Sequence, residues 1–345
     1  MEFLGNYGLF LAKSLTVVIA ALIVVAGVVA ISSRGRRDEE GEIEVSLLND
    51  NYDAMENALK AVVLDDTQLK HELKEQKKQQ KEERKKSKKS EESERKKRIY
   101  VISFDGDVKA SAVDSLREEV TAVLTMAERE DEVVVRLESP GGMVHTYGLA
   151  ASQLARITQK EIPLTIAVDA VAASGGYMMA CIGNKILAAP FAIIGSIGVV
   201  AQLPNFHRLL KKNDIDYEQF TAGEYKRTVT MFGENTEKGR EKFTAELEDT
   251  HELFKSFVAE HRPQVNVKEV ATGEIWYGTR ALEHHLIDDV QTSDEYLLSL
   301  REECKIYTVK FTTKKTLQEK LGLAAQYTVD GVLTKLMSHF TGRHF

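Results

Sequence analysis

The chain has 345 residues, 43 % hydrophobic and 29 % charged, enough for one large α/β domain with accessory segments or for two small domains. Its formal net charge of −7 argues against a nucleic-acid binder, which is normally basic. Cys181 and Cys304 lie 123 residues apart with no CxxC pair, which excludes a disulfide framework and leaves buried free thiols as the expectation.

Residues 1–8 read as a short tail, and 9–31 as a transmembrane helix. Leu15 to Ile31 carries no charge, and Thr16 is its only hydroxyl. Seventeen helical residues reach roughly 26 Å, close to the roughly 30 Å hydrocarbon core. Leu9 to Ala12 extend the span if Lys13 snorkels. A cleaved signal peptide is the rival reading, but such segments have shorter apolar stretches and a basic start, and here only Lys13 is basic. Arg34, Arg36 and Arg37 lean toward placing the following side in the cytoplasm.

Residues 32–98 divide in two. From Ile43 to Leu73 apolar side chains recur at helical spacing (Leu48, Tyr52, Met55, Leu59, Val62, Val63), which predicts an amphipathic helix packed on its own domain or on another subunit. Gln68 to Lys97 then holds 13 Lys/Arg and 7 Glu with only Leu69 and Leu73 aliphatic. It cannot bury enough apolar surface to offset its ordering entropy, so it reads as a solvated helix or spacer. Interleaved acids and the lack of aromatics argue against a nucleic-acid arm.

From residue 99 to 300 strand and helix patterns alternate. Strands are predicted at Ile99–Phe104, Glu132–Leu137, Leu164–Val168, Lys185–Ala189 and Ile193–Val199. Helices are predicted at Ala112–Glu130, Tyr147–Thr158, Glu237–His261, Val267–Thr272 and Thr279–His284. Such alternation implies a mainly parallel, buried sheet with functional groups at the strand ends. The uncharged run Ile186–Leu203 is interrupted by Pro190, Gly195 and Gly198, and fits a buried strand–turn–strand better than a membrane span. Residues 301–345 read as a strand at Tyr307–Thr312 and an amphipathic tail around Val332, Leu336 and Phe340.

Three glycine loops follow three of these strands: Glu138-Ser139-Pro140-Gly141-Gly142, Ala172-Ala173-Ser174-Gly175-Gly176-Tyr177 and Gly195-Ser196-Ile197-Gly198. Paired glycines let the backbone approach a ligand and aim N–H groups at one point, although each could be only a tight turn. Ser174 sits at a strand-to-helix junction. There a serine is either an N-cap or a nucleophile whose following N–H meets an incoming carbonyl oxygen, and the residues leave both readings open. His145 is the only histidine near a glycine loop. His284 and His285 form a pair elsewhere, and neither metal-ligand spacing nor a phosphate loop occurs.

The segments ESPGG, AASGGYMMAC, GSIGVV and GEYKR, in this order and spacing, resemble the signal peptide peptidase A family over nearly the full length. Anchor and Lys-rich spacer are similar to those of its bacterial inner-membrane, single-pass members. The resemblance implies a ClpP/crotonase-like fold, a spiral of β-β-α units, and a serine endopeptidase with a Ser-Lys dyad and no cofactor. Its partners would be peptide or unfolded protein substrates, the lipid bilayer through 9–31, and further copies of the chain. Ser174 matches the family nucleophile, and Lys226, 52 residues later, its general base. Ser196 matches a serine supporting the lysine, and Gly175 with Gly141 and Gly142 the oxyanion loops. Members with a similar anchor often face the periplasm, against the lean of the arginines, so the side of the membrane stays open.

A lysine base carries a physical demand. At an ordinary pKa of about 10.4, roughly one lysine in 2,500 is neutral at pH 7, so a working base must be desolvated. Two rivals stand: a catalytically silent membrane scaffold of the same fold, and a crotonase-type acyl-CoA enzyme, which also uses paired-glycine oxyanion loops but needs no Ser/Lys pair.

Overall fold

The computed structural model describes residues 41–65 and 96–313, with isolated positions between 8 and 19 and between 67 and 74. Residues 43–311 make one compact unit. The described residues up to Glu42 and from Thr312 belong to a second unit, in which Phe10, Leu11, Leu15, Val18 and Ile19 are helical and exposed. Among the described residues no helix is long and apolar enough to cross a membrane. The expected span over 9–31 lies largely outside them, as do most of the spacer and the tail beyond Thr313.

The element order is β1 (Gly41–Leu47), α1 (Leu48–Val63), β2 (Arg98–Asp105), α2 (Val113–Leu124), β3 (Glu132–Glu138), α3 (Val144–Thr158), β4 (Leu164–Val168), β5 (Val171–Ala173), α4 (Gly175–Ala180), β6 (Lys185–Ala188), β7 (Ile193–Gly195), α5 (His207–Lys212), α6 (Glu237–His261), α7 (Val267–Val270), β8 (Ile275–Tyr277), α8 (Gly278–Glu283), β9 (Asp289–Val290), α9 (Ser293–Ser299) and β10 (Lys305–Thr313). A seven-stranded sheet runs β1-β10-β2-β3-β4-β6-β9, and a three-stranded sheet runs β5-β7-β8. The chain lays β4 in the large sheet, β5 in the small one and then α4, and it repeats the alternation with β6 and β7. This is the α/β, ClpP-like arrangement of β-β-α units.

The reason is visible strand by strand. Val133, Val134, Val135 and Leu137 of β3 and Leu164, Ile166 and Val168 of β4 are fully buried, because a parallel sheet covered on both faces buries consecutive side chains. Each such side chain contributes about 1.5–3 kcal/mol, and Ile166→Ala would cost about 2–5 kcal/mol in the cavity it leaves. Val113, Leu116, Val120 and Val123 of α2 and Leu154 and Ile157 of α3 complete the same core. Both cysteines are free and buried, and burial pushes the Cys181 thiol pKa up, so it stays protonated and inert.

Several boundaries differ from the sequence reading. Residues 41–47 form a strand, and the helix expected from Ile43 begins only at Leu48. Of its expected apolar face, Leu48 and Tyr52 pack on the Ile99–Val134–Ile306 cluster, while Met55, Leu59, Val62 and Val63 are exposed. Helix α2 ends at Leu124 rather than Glu130. The buried Asp131 carboxylate accepts from the Glu128 amide and the Arg98 guanidinium, and these bonds draw the chain out of the helix. Strand β7 stops at Gly195, where φ of +97° and then +51° at Ser196 turn the chain away. Within Ile186–Leu203, β6 and β7 are joined by a turn as expected, but residues 196–203 form no regular structure and Val200 and Leu203 are exposed. Strand β10 pairs in parallel with β2, so the sheet continues past residue 300.

Candidate active site

Ser174 joins β5 to α4 with φ +52° and ψ −117°, a conformation that non-glycine residues avoid at a cost of about 1–3 kcal/mol. Its neighbours hold it there. The Ser174 amide donates to the Gly195 carbonyl at 2.7 Å, the Ala173 amide to the Ser139 carbonyl at 3.0 Å, and the Met178 amide to the Ser174 carbonyl at 3.0 Å. The hydroxyl makes no capping hydrogen bond. The cap reading therefore fails on geometry. A strained strand–serine–helix turn that leaves the hydroxyl uncommitted is how a nucleophile is presented.

The first two glycine loops converge on this serine. Gly141 has φ +87°, and a Cβ there would lie 2.7 Å from the Ala173 carbonyl oxygen and 2.8 Å from both the Gly175 nitrogen and the Ser174 Cβ. At Gly142 a Cβ would lie 2.1 Å from the Val108 carbonyl oxygen. The expected donors are not equivalent. The Gly141 amide is committed to the Ser139 hydroxyl at 3.1 Å. Among the described residues the Gly142 and Gly175 amides meet no acceptor, so these two remain able to receive an oxyanion.

A cavity of about 380 Å³ opens from Ser174, Gly142 and Gly175. Val144, Met178, Val199, Leu253, Phe254 and Phe257 give it an apolar wall. The sequence reading missed the α6 contribution. Phe254 and Phe257 carried a signal in their helical spacing, but nothing local indicated that they face the glycine loops. It also missed His251, whose Nε2 lies 3.2 Å from the Ile197 carbonyl oxygen.

The other expected residues are placed as follows. Ser196 follows Gly195, is half-buried, and donates its amide to the Glu274 carbonyl at 2.7 Å. Lys226 is exposed on the loop between α5 and α6, its amide donating to the Gly223 carbonyl at 3.2 Å, and no hydrogen bond joins its ammonium to Ser174. Glu224 beside it pairs with Lys238 at 2.6 Å, which holds its carboxyl below the usual range. His145 is exposed on the first turn of α3, and His284 faces Glu269 at 3.2 Å and meets the Trp276 ring at a tilt, centroids 4.1 Å apart. Among the described residues no cluster of histidines, cysteines and carboxylates has the makings of a metal site.

Comparison with known proteins bears on this arrangement. The profile "Peptidase family S49 N-terminal" matches residues 2–154, and "Peptidase family S49" matches residues 156–307. A "Probable protease SohB" of Haemophilus influenzae is 48 % identical over 331 residues, covering 94 % of either chain. Another, of Buchnera aphidicola subsp. Acyrthosiphon pisum, is 47 % identical over 336 residues, covering 97 % of this chain and 98 % of its own. A solved 1510-N membrane-bound stomatin-specific protease with a substrate peptide overlaps 68 % of this chain and 99 % of its own, at TM-score 0.40 and 15 % identity. On the two profiles and the near-full-length relatives, the chain belongs to peptidase family S49 and is a peptidase.

Proposed function

We propose that the chain is a membrane-anchored serine endopeptidase in which Ser174 is the nucleophile and Lys226 the general base. The observation that carries the reading is the uncapped, strained Ser174 between the free amides of Gly142 and Gly175, at the mouth of an apolar cavity. Lys226 Nζ takes the Ser174 proton as Oγ attacks the substrate carbonyl carbon. Gly142 and Gly175 hold the resulting oxyanion, and the lysine returns the proton to the leaving amine. A second cycle with water frees the acid product. The reading requires the exposed Lys226 loop to be covered, by closing over Ser174 or by assembly with another copy, because a solvated ammonium cannot accept a proton. Ser196 then supports the lysine from the turn whose Gly195 carbonyl holds Ser174.

The apolar cavity suits peptides with an apolar side chain beside the scissile bond, as unfolded or membrane-derived segments have. Residues 9–31 would hold the enzyme in a bacterial inner membrane as a single-pass protein, the span resting on their composition and length and the membrane on the family resemblance. A fluorophosphonate probe tests the mechanism. Labelling of Ser174 in full-length protein that is lost in Lys226→Ala fits a dyad and neither a silent scaffold nor an acyl-CoA enzyme. Full proteolysis by Ser174→Ala sinks the mechanism.

A further inference from the structure

Beneath the two glycine loops lies a buried polar chain that the proposed chemistry does not itself use. Ser139 and Tyr147 are both fully buried. The Gly141 amide donates to Ser139 Oγ at 3.1 Å, Ser139 Oγ lies 2.5 Å from the Tyr147 hydroxyl, and that hydroxyl donates to the Asp107 carbonyl at 2.7 Å. Tyrosine has one hydroxyl proton, and Asp107 receives it. The Ser139 hydroxyl therefore donates to Tyr147, and the direction of the whole chain is fixed from Gly141 to Asp107.

The same two residues touch both halves of the candidate oxyanion site. The Ser139 amide donates to the Val171 carbonyl at 2.8 Å and its carbonyl accepts from Ala173, which clamps β5 immediately before Ser174. A Cβ at Gly175 would fall 2.4 Å from the Tyr147 ring, and one at Gly176 would fall 2.5 Å from the Ser139 carbonyl oxygen. The Tyr147 ring is thus the floor under one amide, and the Ser139 hydroxyl fixes the peptide next to the other. Gly106 closes the arrangement, since a Cβ there would lie 2.5 Å from both hydroxyl oxygens.

We propose that Ser139 and Tyr147 are positioning residues that set the gap between the Gly142 and Gly175 amides; the proposal rests on the serine-peptidase reading above. Neither touches substrate. Losing the Ser139 hydroxyl leaves the Gly141 amide without an acceptor and lets the Gly141–Gly142 peptide rotate away from the developing oxyanion. Removal of a whole oxyanion donor costs about 10²–10³ in kcat, so a misplaced one costs less.

The test uses full-length protein with Ser139→Ala and Tyr147→Phe, the latter keeping the ring under Gly175. Peptide hydrolysis per titrated active site, thermal stability and amide hydrogen exchange at Gly141 and Gly142 are followed. We expect kcat to fall about 10- to 100-fold with KM within about 3-fold, and Gly141 exchange to rise at least about 10-fold while the core strands stay protected. Should Ser139→Ala fail to fold, Tyr147→Phe carries the same expectation with a smaller loss. Unchanged kcat per active site, or unchanged Gly141 exchange, in a folded variant overturns the proposal and leaves the peptidase reading intact. Persistence of parental activity in Ser174→Ala overturns that reading instead, and the exchange measurement still decides whether Ser139 fixes the loop.

Discussion

The Ser174 amide donates to the Gly195 carbonyl at 2.7 Å, tying the candidate nucleophile to the turn that carries Ser196. Each partner is held in a left-handed conformation, φ +52° at Ser174 and +97° at Gly195. The bond therefore ties the strained Ser174 to a turn that only glycine adopts without cost, and neither residue moves without the other. Strain of this kind persists only where surrounding contacts over-determine it. Here those contacts are the parallel pairing of β5 with β7 and the Trp276 ring beneath Gly195.

Gly195→Ala follows directly. Its Cβ would lie 2.9 Å from Trp276 Cδ1, in a backbone conformation that costs alanine about 1–2 kcal/mol. We expect a loss of about 1–3 kcal/mol in unfolding free energy and a larger proportional loss of peptidase activity, because relief of the strain rotates Ser174. Denaturant unfolding beside single-turnover hydrolysis measures both. A variant that loses stability with full activity per folded molecule would show that Ser174 does not depend on this turn.

Lys226→Ala separates chemistry from folding. The side chain is exposed on a loop without regular structure, so its removal should change stability by no more than about 0.5 kcal/mol. If it is the general base, activity falls by about 10³-fold or more at unchanged thermal midpoint. A residual activity above about one tenth of parental would assign the proton transfer to another group.

The legible parts of this protein were those set by periodicity. β4 was read residue for residue from LTIAV, and α6 from its charged, helically spaced pattern. Where reading failed, a long-range or strained feature had overridden the local pattern. Asp131 ended α2 early through Arg98, which is 33 residues away in sequence. Pairing in the large sheet converted Gly41–Leu47 to strand. At the site, the glycine pairs marked where to look. The sequence could not show that the Gly141 amide is spent on Ser139, because that depends on a hydroxyl orientation fixed by Tyr147 and Asp107. Nor did spacing alone bring Lys226 to Ser174. The family resemblance supplied that pairing.

Arg262 is a buried structural charge whose loss should be costly. Its guanidinium is 3 % exposed and binds Asp288 through two nitrogens at 2.8 and 2.9 Å, while a third bond reaches the His285 carbonyl. Asp288 also accepts from the Ile186 amide at 2.7 Å, so the pair fastens the end of α6 to β6. Arg262→Ala removes these bonds and leaves the partly exposed Asp288 carboxylate without its counter-charge, and should destabilise by about 1–3 kcal/mol. Arg262→Lys should recover only part, since an ammonium cannot reproduce the two-pronged geometry. Equal stability of the lysine variant and the parent, by calorimetry, would show that charge alone suffices.

Glu119 makes stability depend on pH in the direction opposite to an ordinary surface carboxylate. It is 4 % exposed on α2, and desolvation pushes its pKa up to about 7 against the smaller opposing pull of the Phe311 amide at 2.8 Å and the Lys310 charge. In the unfolded chain the same group titrates in the ordinary carboxylate range. Between those two values the folded protein binds more protons than the unfolded one, so rising pH removes stability across this window and the loss levels off above about pH 7. The whole effect is at most ~3 kcal/mol. Glu119→Gln keeps an acceptor for Phe311 and cannot ionise. Relative to the parent, its thermal midpoint should therefore be higher at pH 8 than at pH 5, by about 2–4 °C for each kcal/mol recovered. A difference between variant and parent that stays constant from pH 5 to pH 8 would mean that Glu119 carries no proton-linked cost in the fold.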